Sequence, residues 1–156
     1  MFESDRKKTT VPALLVVVLV SAAMAWSQDT GTVTVSGETY TFDVTVCTFH
    51  GAQDFPVKML SGRATDANGR LLFNIEIIAQ ETADTAQHSA QLTFTDRRQF
   101  IAQYSRSGGA WTRMGEPAEG GLIRVEGLRI VADGLFKTSQ EEEAPVSVEV
   151  NCVHQD

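Results

Sequence analysis

The sequence predicts an all-β protein: an antiparallel β-sandwich or partly open barrel of about eight or nine short strands, with one disulfide. Apolar and polar residues alternate with a period of two along most of the chain after residue 30, as they do in half-buried strands. Turns rich in glycine, asparagine and aspartate separate these runs. No amphipathic helical pattern of useful length interrupts them, so a single β domain is expected.

The first four strands are predicted to form two hairpins. Valines and aromatic residues alternate with threonines on both sides of Ser36-Gly37-Glu38, which predicts the first hairpin. The stretch TDANGR, with Gly69 suited to positive φ, predicts a turn between strands at 59–65 and 70–79. The second of these strands is the most hydrophobic in the chain, so we expect it to lie centrally.

The rest of the chain predicts short strands separated by turns. Their expected positions are 90–94, 100–104, 111–114, 122–125, 128–131, 135–136 and 146–152. Residues 80–90 are polar, rich in alanine and poor in β-branched residues, which predicts a loop, with or without one helical turn. A further loop is expected at 115–121, and Asp133-Gly134 is expected to reverse the chain.

Residues 1–25 are predicted to be a signal peptide. A basic segment at 6–8 precedes the apolar run that starts at Val11, and Ala23-Met24-Ala25 offers a cleavage site after Ala25. The apolar run ends at Trp26 and is shorter than the about 20 residues that a spanning helix needs. We therefore expect export, with only transient membrane contact through this segment; an uncleaved anchor is the alternative. Residues 26–156 are then expected to form a single β-sandwich domain in the periplasm, the cell envelope or the extracellular space.

The charge of the chain restricts its partners. With 20 acidic and 13 basic residues, the net charge is −7 at pH 7, and the sequence contains no basic stripe. Such a surface repels phosphate backbones, so nucleic acid is not expected as a partner. The acidic run Glu141-Glu142-Glu143 is expected to be a solvated loop. An envelope protein or a small ligand is the expected partner.

The only two cysteines, Cys47 and Cys152, are expected to form a disulfide, since an exported chain with an even cysteine count usually pairs them. A bridge closing a loop of about 100 residues contributes roughly 4–5 kcal/mol in the chain-entropy model. A zinc or copper site is one alternative, because His50 and His154 lie close to the cysteines in sequence. Its spacing matches no common structural zinc pattern, and no metal or other cofactor is expected. Free or intermolecular thiols are the other alternative.

The positions of the two cysteines in their strands make a structural prediction. Cys152 shares parity with the inward-facing valines of the last strand, whereas Cys47 shares parity with Thr41, Asp43 and Thr45 and should face outward. A disulfide needs Cα atoms within about 7 Å and converging side chains. We therefore expect a bulge near Val46-Cys47, or a strand end there, which turns Cys47 and Phe49 inward.

No set of residues predicts catalysis. The chain has three histidines, no G-x-S-x-G nucleophile motif and no glycine-rich phosphate loop between a strand and a helix. We therefore expect no catalytic residues and no enzymatic activity. Four aromatic residues are candidates for lining a ligand cavity, although strand periodicity favours a place in the core: Phe94, Phe100, Tyr104 and Trp111.

Two terminal stretches, GTVTVSGETYTFDVTVC and VSVEVNC, resemble the small mycobacterial lipoprotein antigens of the nineteen-kilodalton type. In that family an export signal also precedes a V-x-V strand, a glycine turn, a strand ending in Cys and a terminal strand ending in Cys. The resemblance implies a cell-envelope domain with a Cys47–Cys152 bridge. This sequence has no lipid-attachment cysteine after the signal, and residues 58–117 show no match to the family.

Together these features predict an exported, acidic binding or interaction module without a catalytic site. The alternative is a carrier of a small ligand or lipid, which needs an apolar cavity of about 300 Å³ or more. A Cys₂His₂ metal-binding protein, built on Cys47, His50, Cys152 and His154, is the third hypothesis.

Overall fold

The computed structural model describes residues 29–49 and 57–152, which form eleven strands and no helix. The strands are β1 (Thr30–Val35), β2 (Glu38–Cys47), β3 (Val57–Thr65), β4 (Leu71–Glu81), β5 (Thr85–Phe94), β6 (Gln99–Ser107), β7 (Ala110–Arg113), β8 (Glu116–Ala118), β9 (Ile123–Glu126), β10 (Arg129–Thr138) and β11 (Glu143–Asn151). Across both described ranges, no helix has the length and apolarity needed to span a bilayer. The predicted signal peptide at 1–25 lies outside the described residues.

Eight of the strands close into an antiparallel barrel in the order β1-β2-β3-β4-β5-β6-β10-β11, with β11 pairing back onto β1. Strands β7 and β8 extend the sheet beyond β6, and β9 extends it beyond β10. The predicted all-β antiparallel fold with one disulfide is confirmed. Of the two predicted architectures the chain adopts the barrel, which is closed, and the three additional strands bring the number above the expected eight or nine.

Side chains fill the barrel interior next to β1, β2 and β3. The Phe42 ring covers Gly31 and Gly62, where an added Cβ would overlap the ring. Glycine at these two positions therefore makes room for the Phe42 ring. The largest fully buried side chains are Phe42, Phe73, Phe136, Leu60, Ile77, Leu92, Leu122, Ile130, Val33, Val148 and Val150.

The barrel wall divides at one place, which we call the split seam. Strands β6 and β10 pair only through Ile101 with Lys137 and Phe100 with Thr138. Beyond these two pairs, β6 pairs with β7 and β10 pairs with β9 instead of with each other. The connection between β8 and β9 crosses the opening and buries Leu122, whose carbonyl accepts a hydrogen bond from the Asp133 N–H at 3.1 Å.

Several predicted boundaries are wrong. The expected loop at 115–121 contains β8 at Glu116–Ala118, and Glu143, expected in a solvated loop, begins β11. Residues 80–90 were expected to form a loop, but β4 continues to Glu81 and β5 begins at Thr85. Alanine, histidine, glutamine and serine alternate here, so burial follows a period of two without β-branched residues. The expected turn at Asp133-Gly134 also lies inside β10. Gly134 is needed there because a Cβ would meet the Tyr104 hydroxyl at 2.6 Å.

Candidate functional site

The predicted Cys47–Cys152 disulfide is confirmed, with the two Cα atoms 6.2 Å apart. The register between β2 and β3 shifts between Val44 and Val46, after which Cys47 lies opposite the buried Leu60. The shift is a β-bulge that moves Cys47 from the outer to the inner face, and β2 ends at this residue. The expected bulge is therefore confirmed, and Phe49 is buried as expected.

The disulfide joins two strands that are separated by β1. Strand β1 begins at Thr30, opposite Asp43, so that the last residues of β2 continue past it. The Cys152 N–H donates to the Leu128 carbonyl at 3.0 Å, which also fixes the end of β11 to the β9–β10 turn. The covalent bond therefore closes the barrel wall where the hydrogen-bonded ladder of β1 stops.

The alternative Cys₂His₂ site has no structural support within the described residues. The two sulfur atoms are bonded to each other, so neither is a thiolate that could bind a metal. His50 and His154 lie outside the described residues. In 29–49 and 57–152, no group of three or more His, Cys, Asp or Glu residues is placed to hold a metal ion.

The four aromatic candidates occupy two separate places. Phe94 and Phe100 are buried in the core with ring centroids 6.0 Å apart, and Phe94 also packs on Tyr40 at 5.6 Å. Tyr104 and Trp111 lie at the split seam instead, where Tyr104 is buried and Trp111 is partly exposed. The described structure does not bring the four rings around one cavity.

His88 is the one buried polar side chain among the described residues. Its Nδ1 accepts a hydrogen bond from the Ile123 N–H at 3.2 Å, so the proton lies on Nε2, which donates to the Glu81 carboxylate at 2.7 Å. The ring also packs on Trp111 with centroids 4.8 Å apart. Both nitrogens are occupied, and His88 joins β4, β5 and β9 across the split seam.

His88 was not singled out from the sequence, because its segment was interpreted as a polar loop. The sequence feature that could have identified His88 is its position in the alternating pattern, because His88 shares the inner face of β5 with Ala86, Ala90 and Leu92. The small side chains of Ala86 and Ala90 leave room for the His88 imidazole and the Trp111 indole that packs on it.

A second link crosses the split seam from β7 to β11. Arg113 donates from Nη1 to Oε1 of Glu143 at 2.5 Å, and its side chain is only 13% exposed. The hydrogen bond to Glu143 raises the pKa of Arg113, so the guanidinium stays charged. The seam is therefore held by specific side chains in the region where the ladder between β6 and β10 is missing.

One concavity of the described structure lies on the outer face of β4, β5 and β6, and we call it the glutamine groove. It has a volume of about 620 Å³ and also reaches His88, Tyr104 and the turn that follows β7. Its outward-facing polar lining consists of Gln80, Gln87, Ser89, Gln103 and Ser105. Ile78 and Met114 supply apolar contacts, and no Asp, Glu, Lys or Arg of the described chain lines it.

The glutamines of this groove are neighbours in the sheet. Gln80 pairs with Gln87 across β4 and β5, and Gln103 pairs with Ser89 across β5 and β6. In the described part of the chain, their amides make no side-chain hydrogen bond to another residue. Each amide carries two N–H donors and one carbonyl acceptor, so the groove presents uncommitted hydrogen-bonding groups without net charge.

The outer face of β9, β10 and β11 has the opposite character, and we call it the charged face. Arg129 makes two hydrogen bonds of 2.8 Å to Glu149 and another of 2.8 Å to Glu126. Arg124 donates to Asp133 at 2.6 Å. The hydrogen bonds from Arg129 lower the pKa of Glu149. The arginines and carboxylates of this face therefore form hydrogen-bonded ion pairs with one another.

Comparisons with known proteins provide one likeness. No protein-family model matches the sequence, and no curated protein matches it. A solved structure of a redesigned beta barrel aligns with a TM-score of 0.43 and 11% sequence identity, covering 81% of this chain and 90% of that chain. A likeness at this level carries no argument about the function of this protein.

Proposed function

We propose that the protein is an exported binding module that recognises an uncharged, hydrogen-bonding partner through the glutamine groove. The observation that carries this proposal is the set of uncommitted amides at Gln80, Gln87 and Gln103 in a groove without charged side chains. The module is proposed to act without catalysis and without a cofactor.

The chemistry of the groove selects its partner. The chain has a net charge of −7, so a charge-free groove is a local exception on an acidic molecule. Glutamine amides and serine hydroxyls both donate and accept, which suits hydroxyl and amide groups on a neutral partner. Ile78 and Met114 add van der Waals contact beside these polar groups.

Two observations support the proposed location. A disulfide is compatible with an oxidising compartment, since such bonds are rare where thiols are kept reduced. The predicted signal peptide at 1–25 and the resemblance to the mycobacterial antigens both favour the cell envelope or the secreted fraction.

A carrier of a small ligand or lipid is the second candidate, because an eight-stranded barrel can enclose one small molecule. The packing of Phe42 on Gly31 and Gly62 favours the binding module over the carrier. A ligand at this level would have to displace the phenylalanine ring. The outer groove needs no such rearrangement.

A pull-down from envelope extract tests the proposal. The wild-type protein is compared with Gln87→Lys, which places a charge in the groove, and with Gln91→Lys as the matched control. Gln91 lies four residues further along the same exposed face of β5 but does not line the groove. We expect the wild type and Gln91→Lys to retain the same partner and Gln87→Lys to lose it.

Equal retention by all three proteins would contradict a role for the groove. Native mass spectrometry of the purified protein addresses the carrier. A small molecule that stays bound in Gln87→Lys, and whose bound fraction rises when Phe42 is replaced by alanine, would favour an interior site instead.

A further inference from the structure

Strand β9 ends one side of the sheet and pairs with β10 alone. Its four residues, Ile123 to Glu126, present an edge that no other strand of the described chain covers. Unpaired strand edges are templates for association with another chain. We call this feature the β9 edge.

The backbone direction of the β9 edge follows from two hydrogen bonds. Asp133 N–H donates to the Leu122 carbonyl on the β10 side, whereas the Ile123 N–H donates to His88 on the opposite side. Backbone groups alternate in direction along an antiparallel strand, so Val125 points the same way as Ile123. Because His88 already accepts the Ile123 N–H, Val125 is the residue of β9 whose N–H and C=O no described residue uses, so they are open to a new strand.

The side chains around Val125 are complementary in charge to the same side chains of a second copy in antiparallel orientation. Arg124 and Glu126 flank it with about half of each side chain exposed, and Val125 itself is 48% exposed. In an antiparallel pairing of two β9 strands centred on Val125, Arg124 of each copy faces Glu126 of the other. Opposite charges at directly facing positions stabilise such a pair.

We propose that two copies of this protein associate through their β9 edges, in an antiparallel pairing centred on Val125. The arrangement has a two-fold axis between the two valines, as an isologous dimer requires. Each Val125 N–H donates to the Val125 carbonyl of the other copy. The charged faces of the two copies then continue into one another with alternating signs.

The charges also select this register. A shift by two residues in one direction places Arg124 opposite Arg124 of the other copy, and a shift in the other direction places Glu126 opposite Glu126. Like charges directly opposite each other are destabilising. The shift that places the two arginines opposite each other also places Ile123 opposite Val125. That pairing would need the Ile123 N–H, which already donates to His88.

The contact is small, since one short strand carries it, so the association is expected to be weak and to depend on concentration. It uses the charged face and the β9 edge, not the glutamine groove, and is therefore independent of the proposed binding function. Sedimentation velocity over a wide concentration range measures it directly.

Two changes remove the association in different ways. Val125→Pro deletes the N–H on the free side while leaving the hydrogen bonds to β10 intact, because those come from the neighbouring residues. Glu126→Arg places arginine opposite Arg124 of the other copy. We expect the wild type to sediment faster as its concentration rises, and both variants to sediment as monomers throughout.

A mixture makes the test independent of folding defects. Arg124→Glu and Glu126→Arg should each be monomeric alone, yet mixed in equal amounts they should form a heterodimer, since every facing pair then has opposite charges. A wild type that remains monomeric at all concentrations overturns the proposal. So does self-association of Val125→Pro equal to that of the wild type, or a mixture that does not associate.

Discussion

The charged face and the glutamine groove lie on the outside of the same barrel and differ in how their polar groups are used. On the charged face, Arg124 and Arg129 pair with Asp133, Glu126 and Glu149, so most of the hydrogen-bonding capacity is spent within the molecule. In the groove, the glutamine amides have no such partners among the described residues. The charges of the first surface therefore pair mainly within one molecule, with the β9 edge open to a second copy, whereas the amides of the second surface are available to a different molecule.

Both surfaces depend on a shared scaffold, the filled interior with its disulfide and its side-chain links across the split seam. Changes to the scaffold should therefore lower stability and affect both faces together. Changes to the charged face should alter its own titration, and changes to the groove should alter binding alone.

The largest expected effect comes from the interior. Replacing Phe42→Ala leaves a cavity over Gly31 and Gly62 and should lower the free energy of unfolding by about 3–5 kcal/mol. Denaturant unfolding with the disulfide intact measures the loss, and Phe42→Leu, which keeps more of the volume, should lose less. A loss below about 1 kcal/mol would show that the interior is not tightly filled, which would favour the carrier.

The disulfide should have the next largest effect. The double variant Cys47→Ser/Cys152→Ser should lose roughly 2–5 kcal/mol of unfolding free energy, since the bridge closes a loop of 105 residues in the unfolded chain. The reduced wild type is the matched comparison and should show a similar loss. Unchanged stability in both would mean that the hydrogen bonds at the end of β11 close the barrel without help.

The split seam should be more sensitive than its exposed surroundings. His88→Leu removes the acceptor for the Ile123 N–H and should cost about 1–3 kcal/mol. The adjacent exposed Gln87→Ala is the control and should stay within about 0.5 kcal/mol of the wild type. Amide hydrogen exchange at Ile123 should accelerate in His88→Leu; an unchanged rate would contradict the role of the imidazole in capping β9.

The smallest effect concerns the charged face and is a change in pKa. The pKa of Glu149 is lowered by its hydrogen bonds from Arg129, so this pair adds stability above the ordinary glutamate pKa and loses it as the pH falls through the lowered value. Arg129→Gln should return the pKa of Glu149 towards its ordinary range, as measured by carboxyl NMR titration. A Glu149 pKa that does not change would contradict this pairing.

Much of the fold was predictable from residue alternation. The valine and phenylalanine positions of β1, β2 and β11 predict strands with one buried face, and the mismatch in parity at Cys47 predicts the bulge that the structure contains. The even cysteine count and the predicted signal peptide were sufficient to predict the disulfide. Local pattern and covalent geometry are properties that a sequence expresses directly.

The split seam and the groove could not be predicted in the same way, because they depend on contacts between distant strands. Gly134 looks like a turn residue until Tyr104 is placed against it, and His88 looks like a loop residue until Ile123 is placed beside it. Glutamines on an exposed strand face look merely solvated. Only the register of β4, β5 and β6 places Gln80, Gln87 and Gln103 in one groove.

Amide chemical-shift mapping tests the central claim most directly. The ¹⁵N-labelled protein is titrated with the partner eluted from the wild-type pull-down. We expect the perturbed amides to cluster around Gln80, Gln87 and Gln103, with Phe42 in the interior and Glu149 on the charged face unaffected. Perturbations centred on Phe42 or on Glu149, with the groove unchanged, would contradict the account.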